Sequence, residues 1–385
     1  MNLKVALVHD WLTGMRGGEY VLEAIAELFP KAELYTLLYI PGSTSPMITT
    51  LKRHTSWLQK VPKAERRYRH FLPLMPQMIE SFELKDFDLV ISSSHCVAKG
   101  IRKPPGSVHM SYVHAPMRYM WDRFDDYFGP GRASIATRMA ARSVRKYLCN
   151  WDRQSSGEDR VDALVANSHY IADQIKTHYG REASVVFPFV NLQRFAKCER
   201  KSGSSYFMIG AFAPYKRIDL AIEAFNRMKR SLMIVGSGQD YSKLKKKAGP
   251  TVQLLGSLSN AAITDLYAKC RALVFPGLED FGITPLEAMA AGMPVIAYGK
   301  GGALDTVTDR TGILFEHQTV EGLMEAVDQL EANPGRFSEQ DCRDRASQFS
   351  RERFQKEFLA KVRAAWEKAG KDPGQLPTEI PDRSF

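Results

Sequence analysis

Two glutamates, Glu279 and Glu287, lie eight positions apart in the stretch of the sequence best suited to chemistry, FPGLEDFGITPLEAMAAGMPVIAYGKGGALDTV. The apolar run that opens this stretch predicts a buried strand. Thr284, Pro285 and Glu287 then have the spacing of a helix N-cap, a first helical residue and a capping box. We therefore expect Glu279 in a loop and Glu287 in the first turn of a helix.

The start of that helix could also bind a phosphate. The first N–H groups of a helix have no partner within the helix, and here they would run from Phe281 to Leu286. Lys216, in the loop GAFAPYKR, would be a suitable charge partner for a diphosphate. The alternatives are that Glu287 only caps the helix and that Lys216 is an ordinary surface lysine.

Two glycines and a histidine are the candidates in the first half of the chain. Gly17 and Gly18, in HDWLTGMRGGEY, could let a diphosphate approach the backbone or could simply form a tight turn. They do not form GxGxxG, and no acid ends the next strand, so a dinucleotide site is weakly supported. His114 follows a predicted strand in SYVHAPMRYMWD, where it is either a ligand contact or structural.

Strands and helices alternate along most of the chain, which is typical of an α/β protein with parallel, doubly wound sheets. The predicted strands cover 4–9, 33–39, 87–92, 108–113, 161–166, 185–190, 206–210, 231–235, 251–255, 271–275, 294–297 and 312–315. Helices are predicted near 217–229, 239–248, 259–269 and 319–331. Ligands in such sheets bind at the carboxyl ends of the strands, so the loops there should form the site.

The length of 385 residues suggests two domains. We place the first at 1–190 and the second at 191–349, with a polar, basic linker at the start of the second. An amphipathic helix at 350–367 should pack back on the first domain. Residues 371–385 are Pro-rich and predict a disordered tail.

The composition, with 44% hydrophobic and 25% charged residues, is that of a soluble globular protein. No apolar run approaches the ~20 residues of a membrane span, and the N-terminal sequence lacks a signal-peptide cleavage site. Five scattered cysteines without a CxxC suggest neither disulfides nor a zinc site, and they fit a reducing cytoplasm. The net charge of +10 implies an anionic partner: a nucleotide, a nucleic acid or a membrane surface.

A basic and then apolar segment, residues 52–82, is the candidate for a membrane contact. Such a segment is too short to cross a bilayer, but it could lie on an anionic membrane surface. A charged helix face followed by a core helix is an equal alternative. The pattern is membrane-like, and we expect no nucleic-acid partner. A predicted helix at 132–148, with Arg and Lys spread around it, is a second basic surface, either solvated or facing a membrane.

Four features of the sequence resemble the GT-B glycosyltransferases of family GT4: GMRGGEYVLEAI, GAFAPYKRIDLAIEAF, EDFGITPLEAMAAGMPVIA and the amphipathic terminal helix. The longer stretches of sequence around these motifs are similar to those of the bacterial mannosyltransferases of the WbaZ kind. The resemblance implies two doubly wound Rossmann-like domains that face a deep cleft, with the terminal helix crossing back to the first domain. It also implies a retaining transfer from a nucleotide diphosphate sugar without a metal or other cofactor, because helix N-termini and Lys216 replace the metal as counter-charge.

The resemblance assigns roles to the candidate residues. Glu287 should hold the ribose hydroxyls, Glu279 should contact the donor sugar near its anomeric centre, and Lys216 should neutralise the departing diphosphate. His114 matches the active-site histidine of the first domain. The other implied donor-binding residues are Gly17, Gly18, Arg217, Gly256, Leu258, Phe281, Gly282, Ile283 and Thr284. One position departs from the family, since Ala211 stands where members commonly have an arginine that shares the diphosphate charge.

The function predicted from this resemblance is mannose transfer from GDP-mannose to a lipid-linked saccharide during O-antigen or exopolysaccharide assembly. The protein would be cytoplasmic and peripheral on the inner face of the cell membrane. A transferase of the same fold that uses a UDP-sugar, and a nucleotide-sugar epimerase, are the alternatives. Nothing in the sequence reports the nucleotide base directly.

Overall fold

The computed structural model describes residues 3–129, 134–333 and 335–380. The chain divides into two compact units, one of Met1–Phe187 with Glu352–Phe385 and the other of Pro188–Arg351. The corresponding boundaries predicted from the sequence lie after residue 190 and after residue 349.

A parallel sheet forms the centre of the first unit. Its strands lie in the order β3-β2-β1-β4-β5-β6-β7. They are β1 (Val5–His9), β2 (Glu33–Thr36), β3 (Lys52–Thr55), β4 (Leu89–Ser94), β5 (Val108–Val113), β6 (Ala163–Ala166) and β7 (Ser184–Val185). Every residue of β1, β4 and β5 is buried, because helices cover both faces of a sheet of this kind.

Helices of varied length surround this sheet. They are α1 (Gly17–Leu28), α2 (Pro46–Thr50), α3 (Ala64–Arg67), α4 (Met75–Glu80), α5 (Phe124–Phe128), α6 (Ile135–Gln154) and α7 (His169–Tyr179). The start of α7 follows directly from its sequence, since the Ser168 hydroxyl accepts a hydrogen bond from the N–H of Ile171 at 3.0 Å.

The second unit repeats the architecture with a parallel sheet in the order β10-β9-β8-β11-β12-β13. Its strands are β8 (Tyr206–Ile209), β9 (Leu232–Val235), β10 (Val252–Gly256), β11 (Leu273–Phe275), β12 (Val295–Tyr298) and β13 (Gly312–Phe315). Its helices are α8 (Ile218–Met228), α9 (Tyr241–Lys247), α10 (Asn260–Lys269), α11 (Ile283–Ala290), α12 (Ala303–Thr306), α13 (Val320–Ala332) and α14 (Glu339–Ser347). The prediction of two doubly wound parallel sheets is confirmed.

The final helix, α15 (Arg351–Lys368), packs on the first unit as predicted. Its apolar positions, spaced by four residues, are buried: Phe354, Phe358, Val362 and Trp366. The rings of Phe354 and Phe358 contact Tyr112 of β5, with centroids 5.7 and 6.1 Å away. The Gln355 side chain donates to the Ala24 carbonyl of α1 at 3.0 Å. The helix is therefore held by a polar contact in addition to its apolar stripe.

The segment 52–82 agrees with one half of the second alternative, because its apolar half contains the core helix α4, whereas its basic half forms no single charged helix. It begins with the edge strand β3 and continues through short helical turns rather than one charged helix. Met75, Met78 and Ile79 belong to the core of the first unit, because the apolar half of the segment covers one face of its sheet. The expectation that this apolar half lies on a membrane is therefore wrong, while exposed basic side chains remain in residues 52–69.

Two further predictions fall partly on residues that the structure does not describe. The predicted helix 132–148 is α6, which extends to Gln154, and positions 132–133 lie outside the described residues. Of the predicted disordered tail, 381–385 lie outside them too, whereas 371–380 pack against α15: the indole N–H of Trp366 donates to the Asp372 carbonyl at 2.9 Å, and Leu376 is buried. Within the described ranges, no helix is both long and apolar enough to cross a bilayer.

Candidate active site

The predicted site residues of the second unit lie at one edge of its sheet, where the parallel strands end. The sheet order places β8 beside β11. The strand that follows β8 lies toward one edge of the sheet, and the strand that follows β11 lies toward the other. Such a change of direction opens a crevice at the carboxyl ends of the strands, which is where ligands bind in open α/β sheets. Lys216 follows β8 and Glu279 follows β11, so the two side chains flank this crevice.

Lys216 and Glu279 form an ion pair. The Lys216 Nζ lies 2.6 Å from the Glu279 Oε1, and the two side chains are only 16% and 12% exposed. A Cβ atom on Gly277 would lie 2.8 Å from the Tyr215 carbonyl oxygen and 2.9 Å from the Lys216 Cα, so only glycine allows the two loops to pack this closely. Apart from the lysine, Oε1 has no hydrogen-bond partner within the described residues, so the carboxylate can accept a hydrogen bond from a hydroxyl once the lysine moves away.

The helix α11 begins two residues earlier than predicted. Its N-cap is Gly282, with a φ of 84° that favours glycine, and Thr284 and Pro285 already lie in its first turn. Thr284 is therefore not the cap, and the predicted capping box with Glu287 does not form. The N–H groups of Ile283 and Thr284 lie in the first turn, where the helix itself provides no acceptor. A phosphate would thus meet two N–H groups followed by a proline that has none.

Glu287 is held by side chains instead of capping its helix. Its carboxylate accepts from Arg194 Nη1 at 3.0 Å and from the Tyr267 hydroxyl at 2.9 Å. Burial raises the pKa of Glu287, while the Arg194 guanidinium and the Tyr267 hydroxyl act in the opposite direction. Arg194 also donates to the Thr264 hydroxyl at 3.0 Å, so it connects the glutamate to α10. Arg194 is not among the residues predicted from the sequence, because it lies in a polar segment with the composition of a linker.

The remaining predicted residues of the second unit lie at the same edge. Gly256 ends β10, and its carbonyl accepts from the N–H of Gly236 at 2.9 Å. Leu258 follows it and is 36% exposed. Arg217 turns away from the ion pair, since its guanidinium donates to Gln318 at 3.1 Å. Arg217 therefore does not replace the arginine that the family has at Ala211.

In the first unit, His114 belongs to a buried hydrogen-bonded chain at the carboxyl ends of the strands. The Ser93 hydroxyl lies 2.8 Å from His114 Nε2 and 3.2 Å from His9 Nδ1. A Cβ atom on Gly18, at the start of α1, would lie 3.6 Å from His114 Nε2. Burial lowers the pKa of His114 well below its usual value, so the ring is neutral at pH 7. The structure thus brings Gly18 and His114 together, and it adds His9 and Ser93.

Asp10 organises this histidine group. Its buried carboxylate accepts four backbone N–H groups, from His95 to Ala98, at 2.5 to 3.1 Å. His95 Nδ1 lies 3.1 Å from the same carboxylate. Burial by itself would raise the pKa of Asp10, but the charges of His95 and His9 and the N–H donors bring it below its usual value. The motif HDW carried this signal in the sequence, and it was missed because its partners are about 85 positions away.

No group of three or more His, Cys, Asp or Glu side chains that could hold a metal ion occurs in the described part of the chain. The absence of a metal from the reaction stays a prediction. The roles assigned to the individual residues stay predictions as well.

Part of the chain matches a known family model. Residues 191–353 match the family Glycosyl transferases group 1. The O-antigen chain mannosyltransferase C of Escherichia coli is 27% identical over 219 residues, which cover 52% of this chain and 57% of that protein. A GDP-mannose-dependent alpha-mannosyltransferase of Mycolicibacterium smegmatis is 40% identical over 110 residues, 28% of this chain and 29% of that protein. The chain spans about half the length of the first curated relatives that it matches.

Solved structures show the same fold over nearly the whole chain. The lipopolysaccharide outer core galactosyltransferase WaaB superposes with a TM-score of 0.65 and 16% identity, covering 94% of this chain and 99% of that one. Anabaena HepE in complex with UDP gives a TM-score of 0.66 and 15% identity, covering 94% and 100%. At these identities the likeness establishes the fold alone, and that fold is GT-B.

Proposed function

We propose that this chain, which has the GT-B fold and a Glycosyl transferases group 1 domain at 191–353, is a retaining glycosyltransferase that moves mannose from GDP-mannose to a lipid-linked saccharide. The observation that carries the proposal is the pairing of Lys216 with Glu279 at 2.6 Å across the strand-end crevice, with the Glu287 carboxylate on the helix that follows. A nucleotide diphosphate sugar requires a cation for its diphosphate, a carboxylate for its sugar hydroxyls and a second carboxylate for its ribose hydroxyls.

The chemistry follows from these groups. The bond between the anomeric carbon and the diphosphate breaks, and its electron pair leaves with the phosphate oxygen. The acceptor hydroxyl bonds to the same face of the anomeric carbon and passes its proton to the departing phosphate. Lys216 and the first N–H groups of α11 stabilise the charge that develops on the diphosphate. Lys216 must leave Glu279 for this role, which frees the carboxylate for the hydroxyls of the donor sugar.

The donor base is proposed from relatives. The names of two relatives refer to mannosyl transfer, and one of them specifies GDP-mannose. UDP-sugar use is a second candidate, because HepE of the same fold was solved with UDP. We retain GDP-mannose as the first choice, and with it a lipid-linked acceptor of surface polysaccharide assembly, the WbaZ-like subgroup and a location at the inner face of the cell membrane.

A thermal-shift panel of GDP, UDP, ADP and their sugars tests the donor. We expect GDP and GDP-mannose to raise the melting temperature, and Glu287→Gln to reduce that rise. A shift with UDP alone would select the second candidate, and no shift with any nucleotide would contradict the proposed function.

Transfer is tested with labelled donor and a lipid-linked saccharide. Labelled sugar should appear in the lipid fraction with retained anomeric configuration, and chelation of divalent metals should not abolish transfer. Hydrolysis or epimerisation of the donor, with no transfer to any acceptor, would favour an epimerase instead.

A further inference from the structure

Between Ile135 and Lys146, the helix α6 carries an exposed apolar and basic face. Ile135 and Met139 are 75% and 64% exposed, the largest values among the exposed large apolar side chains of the described residues. Arg142 and Lys146 are exposed one and two turns further along. The spacing 135, 139, 142 and 146 places all four side chains on one face of the helix.

The opposite face of α6 attaches the helix to the first unit. Ala141 and Leu148 belong to the core, and the indole of Trp151 donates to Glu80 at 2.9 Å. Arg145 donates to the Met120 carbonyl at 2.7 Å. The helix is therefore attached from Ala141 to Trp151, while the face with Ile135 and Met139 has no core to cover it among the described residues.

Before the buried Asp152, the charged side chains of this helix are all basic. Residues 134–151 contain no Asp or Glu, and their charged side chains are Arg138, Arg142, Arg145 and Lys146. Neither Arg142 nor Lys146 has an ion-pair partner within the described ranges. A helix with a cationic face and exposed aliphatic side chains has the composition of helices that lie in the interface of an anionic membrane.

We infer that the α6 face, defined by Ile135, Met139, Arg142 and Lys146, is a docking surface for an anionic lipid bilayer. Ile135 and Met139 enter the boundary between headgroups and acyl chains, and Arg142 and Lys146 pair with lipid phosphates. A nucleic acid would fit less well, because it offers Ile135 and Met139 no apolar region and the face has no aromatic side chains for stacking on bases. This surface replaces 52–82 as the proposed membrane contact, because Met75, Met78 and Ile79 of that segment are in the core.

Sedimentation of the full chain with vesicles tests this surface directly. The vesicles contain phosphatidylcholine with or without phosphatidylglycerol, at about 0.1 M salt, where charges are screened beyond about 10 Å. We expect binding to the anionic vesicles only. Ile135→Gln with Met139→Gln, and separately Arg142→Gln with Lys146→Gln, should each weaken that binding about tenfold or more, since glutamine maintains the helix.

Two matched variants serve as controls. Lys245→Gln with Lys246→Gln removes the same charge from the exposed face of α9 in the second unit and should leave binding unchanged. Trp57→Gln with Leu74→Gln removes the exposed apolar side chains of 52–82 and should have little effect. Circular dichroism confirms that each variant folds, and nucleotide-induced thermal shifts, which report the donor site, should be the same in all of them.

Three results would overturn the inference. They are unchanged vesicle binding by both α6 variants, equal binding to neutral vesicles, and loss of binding only in the Trp57 and Leu74 variant. Binding to a mixed-sequence DNA or RNA oligonucleotide that depends on Arg142 and Lys146 but not on Ile135 and Met139, without vesicle binding, would identify a nucleic-acid surface instead. Because vesicle binding is measured without donor or acceptor, its failure is separate from failure of the proposed function.

Discussion

At the scale of single residues, the two glutamates differ in how they are held. Glu279 contacts one cation across the crevice, at 2.6 Å, and has few other partners in the described structure. Glu287 is fixed from two sides by Arg194 and Tyr267. A carboxylate with one charged partner, like Glu279, can readily exchange that lysine for a sugar hydroxyl. A carboxylate held from two sides, like Glu287, presents both oxygens in a fixed direction.

Lys216→Ala should lower kcat/KM for the donor by about 2–4 kcal/mol of transition-state stabilisation, by analogy with the loss of one oxyanion donor. The reason is that Ala211 supplies no second charge and Arg217 points toward Gln318. Steady-state transfer rates measure the effect, with Lys269→Ala, an exposed lysine at the far end of α10, as the matched control. Normal turnover in a folded Lys216→Ala protein would remove this role.

Ala211 offers the converse experiment. Its side chain is exposed, so an arginine fits there without displacing the core. Ala211→Arg should tighten the binding of a nucleoside diphosphate by about 1 kcal/mol, the value of one added charge-assisted contact. Calorimetry measures the change, and no gain would show that another group already neutralises this diphosphate.

In Arg194→Gln, the loss of nucleotide binding on acidification should begin at a higher pH than in the unaltered protein. Burial already raises the pKa of Glu287, and the loss of the guanidinium removes the main opposing effect. A protonated Glu287 no longer accepts from two ribose hydroxyls, so the Kd for a nucleoside diphosphate should rise as the pH falls. The Kd measured from pH 8 to pH 5 tests this. Arg194→Gln with Glu287→Gln should show no such dependence, because glutamine does not titrate, and identical profiles for Arg194→Gln and the unaltered protein would contradict the idea.

At the scale of elements, the start of α1 is the clearest place to separate function from folding. Gly18 is the second residue of this helix, and its backbone lies against His114 and His9. A tight turn and a diphosphate contact were equal interpretations of this glycine in the sequence. In the structure a methyl group at this position meets only ordinary van der Waals contacts, the nearest at 3.6 Å, so a substitution there can separate the two interpretations.

Gly18→Ala should therefore leave the free energy of unfolding unchanged or raise it by about 0.5–1 kcal/mol, since alanine is the better helix former. If a diphosphate approaches this backbone, turnover should nevertheless fall about tenfold or more, because the methyl group occupies the place of a phosphate oxygen. Urea unfolding and transfer assays on the same preparation check both values. Unchanged turnover would leave Gly18 as a plain turn residue.

At the scale of the whole molecule, buried histidines couple folding to pH. Burial lowers the pKa of His95 and of His109 to about 4, and it lowers that of His114 well below its usual value. In the unfolded chain these rings titrate near pH ~6.5. Below that pH the unfolded state binds more protons than the folded state, so stability falls with acidification until the folded-state pKa is reached.

The free energy of unfolding should thus fall between pH 6.5 and pH 4, by about 1.4 kcal/mol per pH unit for each such histidine. Glu287 contributes a change of stability with pH of the opposite sign, because its pKa is raised, but it is a single group. Urea unfolding at a series of pH values gives the slope. His109→Gln should reduce it by about one histidine's share, since glutamine can still reach the Ser92 hydroxyl and the Arg160 carbonyl. A flat profile would mean that the histidines are hydrated in the folded state.

The sequence by itself determined the order of the elements and the loops that carry the site. The strands at 108–113 and 312–315 agree with the structure to the residue. Alternation of apolar residues, cap residues and glycines is local information, and it also placed the apolar stripe of the terminal helix correctly.

Only the tertiary structure decided which side chains meet. Arg194 reaches Glu287 over 93 positions, and Asp10 binds backbone groups 85 to 88 positions away. The same is true of the apolar half of 52–82, which its own sequence could not distinguish from a membrane surface. These contacts depend on strand order and on which sheet face a segment covers. That information lies in the packing of distant segments, because the local pattern is the same whichever neighbour a segment meets.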